Sequence, residues 1–167
     1  MNTRPAVEAD LPRVLDIYNH AIRTGTAVYE DKPHTLEMRQ DWFAAKKTAG
    51  MPVLVIEDEE GVAGFGTYGP FRSQTGFCFS VEHSVYIAQE KRRLGYGGLL
   101  LSALIEAATK QGMHLMIATI DAQNESSIRL HLAFGFAQVG QMKEVGRKFD
   151  RWLDIVFLQK TLPSFPS

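Results

Sequence analysis

The stretch Val81-Glu82-His83-Ser84-Val85-Tyr86-Ile87, the turn Arg92-Arg93-Leu94-Gly95-Tyr96-Gly97-Gly98, and the following Leu99, Leu100, Leu101, Ala103, Leu104 and Ala107 decide the fold. The first run reads as a strand, the second as a basic glycine turn, and the third as the apolar face of a helix. Strand, glycine turn, helix is an arrangement that aims backbone N–H groups at a phosphate. Small residues let the chain come close, and the helix N-terminus favours negative charge. The two arginines add charge-assisted hydrogen bonds. A bound pyrophosphate is therefore expected. A P-loop would need Gly-Lys-Ser/Thr, whereas Gly97-Gly98 leads into Leu99. A dinucleotide fingerprint would need a third glycine where Leu100 stands.

Outward from this stretch the chain reads as one domain over 1–162 with a loose tail at 163–167. The 167 residues are 45% apolar and 22% charged with a formal net charge of -1, which gives no electrostatic case for nucleic acid or a membrane surface. No run is apolar and long enough to span a bilayer, and the N-terminus carries no apolar leader. A cytoplasmic location is the expectation. The single cysteine, Cys78, excludes an internal disulfide and leaves no cysteine cluster for zinc. It reads as a small core residue within a strand, and no metal is expected.

Residues 1–7 read as a first strand. Asp10 is placed to cap a helix with Pro12 in its first turn and an apolar face of Leu11, Val14, Leu15, Tyr18, Ala21 and Ile22. Thr35 caps a second helix with Met38, Trp42 and Phe43 inward, ending near Gly50. Strands follow at Pro52–Glu57, Val62–Tyr68 and Phe77–Ile87. The glycine-turn helix covers 96–110, and His114–Ile120 is a strand. Asn124 caps a shorter helix through Ala133, and Phe136–Met142 pairs with Trp152–Leu162. This order makes an α/β (α+β) fold: a mixed, mostly antiparallel seven-stranded sheet flanked by about four helices.

Arg92-x-x-Gly95-x-Gly97 resembles the pyrophosphate signature of the Gcn5-related N-acetyltransferase superfamily, and the element order is similar to that superfamily's. The resemblance implies acetyl-CoA as co-substrate, its pyrophosphate gripped by Arg92, Arg93, Leu94, Gly95, Tyr96, Gly97 and Gly98. Backbone at Val85, Tyr86 and Ile87 would meet the pantetheine arm and thioester, in a slot opened by a bulge that splays this strand. The late run Asn124-x-x-Ser127, with His131, Gly135 and Phe136, resembles the superfamily's second cofactor element. Asn124 and Ser127 would then touch coenzyme A, and His131 stands where many relatives carry a tyrosine that protonates the leaving thiol.

N-acetylation needs an amine stripped of its proton, a donor for the developing oxyanion, and a proton for the thiolate. Glu82 is the candidate base, because a carboxylate half withdrawn from water is a usable proton acceptor. Ser84 shares its face and can orient substrate. His83 points the other way in a regular strand; it is a further candidate substrate contact.

Ser80-Val81-Glu82-His83-Ser84-Val85-Tyr86 and Val145-Gly146-Arg147-Lys148-Phe149-Asp150-Arg151-Trp152-Leu153-Asp154 resemble, together, the phosphinothricin and methionine sulfoximine N-acetyltransferase family. That resemblance implies acetylation of the α-amino group of glutamate-like toxic amino acids by a homodimer, hence detoxification. It places Arg72 at the substrate, where a guanidinium suits a carboxylate or phosphinate, and takes Lys148 and Phe149 to the partner subunit's site. Tyr29 and Phe71 would wall the pocket. Ser73-Gln74 and Asp150 depart from the family pattern, the first beside the substrate and the second where glycine is commoner. Two rivals stand beside this reading: acetylation of another amine (a protein N-terminus, polyamine or aminoglycoside), and a non-catalytic acetyl-CoA sensor. Cationic amines favour acidic pockets, whereas Arg72 and Lys148 favour anions.

Overall fold

The computed structural model describes residues 1–163; of the tail expected at 163–167, residues 164–167 lie outside the described residues. The strands are β1 (Asn2–Pro5), β2 (Val53–Asp58), β3 (Gly61–Pro70), β4 (Ser80–Ile87), β5 (Leu115–Asp121), β6 (Ala137–Lys148) and β7 (Arg151–Thr161). The helices are α1 (Leu11–Thr24), α2 (Leu36–Thr48), α3 (Tyr96–Lys110) and α4 (Glu125–Ala133). One seven-stranded sheet runs β1-β2-β3-β4-β5-β7-β6. Every pairing is antiparallel except β4 with β5. The expected mixed sheet with four helices is therefore the observed fold.

Strand alternation divides the core between two faces. Val14 and Ile17 of α1 pack on Val55 and Phe65, with Tyr86 and Trp42 beside them. On the other face Leu101, Leu104 and Ala108 of α3 meet Tyr68, Val81, Met116, Ala118 and Leu158. β4 is thus covered on both sides, with Tyr86 toward α1 and Val81 toward α3.

Several local readings are corrected. β4 starts at Ser80, not Phe77, because Thr75–Phe77 form a 3-10 turn into which the Cys78 amide donates. Cys78 is therefore exposed rather than in the core. Asp10 sits at the N-terminus of α1 without capping it: its carboxylate accepts from the Val7 amide (2.8 Å) and from Arg4 (2.7 and 3.0 Å). Arg4 holds the Asp10 carboxyl below the usual range. On α2, Phe43 is buried as expected, whereas Met38 faces solvent and the charged Arg39 is buried. That charged side chain is enclosed by Tyr18 of α1 and by Trp42 one turn along α2. The last hairpin is longer than expected. β6 continues past Met142 through an irregularity before Gly146, where the Glu144 amide donates to Asp154 (2.8 Å). It closes in a two-residue turn at Phe149 and Asp150, both left-handed (φ 50° and 57°).

Candidate active site

β4 and β5 pair only through Ser80, Val81 and Glu82, against Leu115, Met116 and Ile117. Beyond that point β4 stays paired with β3 as far as Ile87, and β5 stays paired with β7 as far as Asp121. The two central strands therefore diverge, leaving one edge of β4 over 83–87 unpaired toward β5. No register shift accompanies this between β3 and β4, so the wedge arises from divergence rather than from the bulge expected there. An open strand edge offers alternating N–H and C=O groups to a linear amide-bearing ligand. Val85, Tyr86 and Ile87 lie on that edge, and Glu82 stands at the apex of the wedge.

The basic turn lies at the mouth. After Ile87 a 3-10 turn, Gln89–Lys91, leads to Arg93 (φ 63°) and Gly95 (φ 86°) in the left-handed region, and α3 begins at Tyr96. The Arg92 amide donates to Gln89, and those of Gly98 and Leu99 to Gly95. Among the described residues, the amides of Leu94, Gly95, Tyr96 and Gly97 have no acceptor outside the helix. Four unpaired donors at the start of a 15-residue helix, with Arg92, Arg93 and Leu94 exposed beside them, form an anion cradle. The Tyr96 side chain does not join it: it is buried, and its hydroxyl donates to Asp58 (2.7 Å).

Asp58, at the end of β2, ties the cradle down. It accepts from Lys91 Nζ (2.7 Å) just before the arginines as well as from Tyr96 just after them. Lys91, and then Tyr96, hold its carboxyl well below the usual range. Removing the carboxylate in Asp58→Ala frees Tyr96 and leaves Lys91 held only by the exposed Glu60 (2.8 Å). The KM for acetyl-CoA is expected to rise on the order of tenfold, with turnover at saturation little changed. Steady-state kinetics with varied acetyl-CoA checks this.

On the opposite flank of the wedge, Asn124 caps α4 by accepting from the Ser127 amide (3.2 Å) and the Ser126 hydroxyl (3.0 Å). Both Asn124 and Ser127 are half-buried, and the Asn124 side-chain N–H₂ donates to no residue among those described.

Glu82 is half-buried and belongs to no ion pair among the described residues. Ser84 and Tyr86 follow it on the same face. Tyr86 stacks on Phe65 (5.0 Å) and meets Tyr18 edge-on (5.4 Å). Burial raises the Tyr86 hydroxyl pKa, and the Ser84 hydrogen bond and the Arg39 charge oppose the rise. The Arg39 guanidinium lies between the rings of Tyr18 (4.1 Å) and Trp42 (4.5 Å). Its burial among rings keeps a positive charge behind the Glu82 face without a bound carboxylate.

His83 and His131 need correction as contacts with substrate or thiol. Both are buried, their rings stack at 5.0 Å, and their Nε2 atoms are 3.1 Å apart. His131 Nδ1 lies 2.7 Å from the Ser127 carbonyl and must carry its proton there. Its Nε2 then accepts from His83 Nε2–H. Burial lowers the pKa of both rings, His83 to about 3. Neither nitrogen of His131 is left to protonate a thiolate.

The expected substrate residues separate into two groups. Phe71 and Arg72 lie together in the β3–β4 connection, with the guanidinium 5.0 Å from the ring and Phe77 packed edge-on at 5.9 Å. Arg72, Ser73 and Gln74 are exposed. Tyr29 is 40% exposed, and its hydroxyl pKa is pushed up to about 12 by burial and by Asp121 and Asp154. Lys148 is corrected: it is 3% exposed, and Nζ donates to the carbonyls of Ile22 (2.7 Å), Gly25 (2.8 Å) and Val28 (2.7 Å). Burial lowers its pKa. It has no donor left for a substrate anion, and only its neighbour Phe149 faces outward.

Residues 4–157 match the family model of the acetyltransferase (GNAT) domain. The chain belongs to the GNAT acetyltransferase family. It is 48% identical over 160 residues, 95% of this chain and 93% of the relative, to an L-methionine sulfoximine/L-methionine sulfone acetyltransferase of Pseudomonas paraeruginosa. A phosphinothricin N-acetyltransferase of Streptomyces coelicolor is 34% identical, covering 97% of this chain and 96% of its own. Among solved structures, yncA of Salmonella typhimurium, determined with its cofactor acetyl-CoA, superposes with a TM-score of 0.95 at 41% identity, covering 99% of this chain and 96% of its own. This GNAT chain is an enzyme of acetyl transfer. Among its described residues, no helix is long and apolar enough to cross a membrane.

Proposed function

We propose that this enzyme transfers the acetyl group of acetyl-CoA directly to the α-amino group of a small amino acid of the methionine sulfoximine and phosphinothricin kind. The observation that carries the reading is the wedge beyond Glu82 with an anion cradle at its mouth. The identity and coverage of the methionine sulfoximine relative support the substrate class.

Acetyl-CoA supplies an activated acyl group on a thiol leaving group. The chain's residues do the rest. The amides of Leu94–Gly97, with Arg92, Arg93 and Gly98 alongside, hold the pyrophosphate. The open edge at Val85–Ile87 pairs with the pantetheine arm and places an N–H at the thioester oxygen. Asn124 and Ser127 border the same arm. Glu82 takes the proton of the ammonium, directly or through water, and Ser84 orients the amine; the freed amine attacks the thioester carbonyl, the C–S bond breaks, and the leaving thiolate takes up, through solvent, the proton that the acetylated nitrogen sheds. Arg72 reaches the acidic end of the substrate, with Phe71, Tyr29, Ser73 and Gln74 around it. His83 and His131 brace β4 against α4 from behind.

The reading includes a cytoplasmic homodimer with a detoxifying role. Val139, Met142, Val145, Phe149 and Trp152 leave an exposed apolar surface on the β6–β7 hairpin, a site suited to a second copy.

Thiol release from acetyl-CoA, measured in parallel with methionine sulfoximine, phosphinothricin, spermidine and an N-terminal peptide, tests the function. Turnover confined to the first two is expected. Turnover confined to the peptide or to spermidine overturns the substrate class.

A further inference from the structure

We infer that Lys148 is a positioning residue for the amine pocket, acting from β6 on the loop between α1 and α2. The inference rests on the reading above only in taking the face of Glu82 as the acceptor side.

The loop leaves α1 at Gly25 and enters α2 after Thr35. β6 grips its first half. The Lys148 ammonium has three protons, and three carbonyls of one short segment, Ile22, Gly25 and Val28, converge on it at 2.7–2.8 Å. The first two end α1, where backbone carbonyls lack helical partners and a cation is favoured. Two residues back along the same strand face, Gly146 receives the ring of Tyr29: a Cβ built on Gly146 would lie 2.5 Å from that ring. α1 holds the second half. Asn19 exchanges two hydrogen bonds with the His34 backbone (2.9 and 2.8 Å), and the Tyr18 hydroxyl donates to Glu30 (3.0 Å).

So anchored, the loop lies at the wedge. The Glu30 carboxylate accepts from Tyr18, whose ring meets Tyr86 on the face that carries Ser84 and Glu82. On the adjacent residue the Tyr29 hydroxyl is close to the Asp154 carbonyl and within the field of Asp121 at the end of β5. The loop is a roof over the acceptor side, and Lys148 sets where it sits. An ammonium suits this task because three carbonyls converge on one point, which a planar guanidinium cannot satisfy.

The test compares Lys148→Met, which keeps the stem and loses every donor, with Lys148→Gln, which keeps two. Kinetics use whichever amine the wild-type enzyme acetylates in the panel, and circular dichroism confirms the fold. The KM for the amine is expected to rise on the order of tenfold in Lys148→Met and less in Lys148→Gln, while the KM for acetyl-CoA stays within about twofold. Amide exchange over residues 26–34 is expected to accelerate in the same order. An unchanged amine KM in a folded variant overturns the proposal, as does an equal rise in both KM values. Should the methionine variant not fold, the glutamine variant decides by the same two readouts. Failure of the substrate reading is seen separately, in the wild-type panel.

Discussion

Glu82→Gln lowers turnover by roughly 10²–10⁴-fold while leaving the KM for acetyl-CoA within about twofold, the range a positioned general base contributes. Glutamine fills the same volume at the apex of the wedge, so the pairing of Glu82 with Ile117 and the divergence beyond it are kept. What is lost is the proton acceptor. The amine arrives protonated at neutral pH and attacks only after losing that proton. The defect therefore narrows as pH rises toward the amine's own pKa, where solution supplies the free base and Glu82 is bypassed. A defect constant across the profile would mean that Glu82 acts on substrate placement instead. Wild-type turnover in the variant would move the base elsewhere on the wedge. Thiol-release kinetics between pH 7 and 9.5 separate the three outcomes.

Much of this site is local in origin and so was readable from residue order. The glycine turn, the Asn124 cap and the alternation of β4 each depend on neighbours within a few positions. Glu82 and Ser84 share a face because a strand has period two, and that reading needed no partner. The wedge itself is not local: it exists because β4 and β5 stop pairing after three residue pairs, and no residue type marks where a pairing ends. The corrections share a cause. Lys148 carries a charge that suits a substrate anion, but carbonyls more than 100 positions earlier claim it. The burial of Arg39 needs Tyr18 of α1 as well as Trp42 one turn ahead, and the contact between the two helices is not visible in residue order. His131 matched a position associated with acid catalysis, yet α4 packs it onto His83. Nothing near Asp58 in the sequence marks it as part of the site, because its partners Lys91 and Tyr96 lie more than 30 positions later. In each case the identity of the chemical group was legible and its partner was not.

The histidine pair sets the second large expected effect, an acid-sensitive stability with its onset well above the carboxylate range. With the His131 Nδ1 proton committed to Ser127 and Nε2 accepting from His83, the pair is neutral, and His83 Nδ1 is a buried lone pair with no partner among the described residues. A further proton would place a charge beside Phe136, 5.7 Å from His83 and 5.1 Å from His131, with no acceptor for it. This is why burial takes the His83 pKa down to about 3. The unfolded chain binds that proton near pH 6.5, whereas the folded chain resists it until about pH 3. Stability is therefore full above pH 6.5 and falls as pH drops from 6.5 toward 3. The slope is about 1.4 kcal/mol per pH unit for each proton taken up on unfolding. Between pH 6 and 4 one histidine alone removes about 3 kcal/mol, a large share of the roughly 5–15 kcal/mol of an ordinary domain. The depressed carboxyls Asp10, Glu30, Asp58, Glu90 and Glu106 act in the same direction but only from their ordinary range downward, near pH 4. The window from pH 6 to 5 thus belongs to the histidines. Urea unfolding at pH 7, 6, 5 and 4.5 measures the slope, and His83→Gln, whose amide still donates to His131 but does not titrate, is expected to flatten it by one proton's worth. A wild-type midpoint that does not move between pH 7 and 5 would show that the pair is hydrated, and would return His131 to consideration as a proton donor.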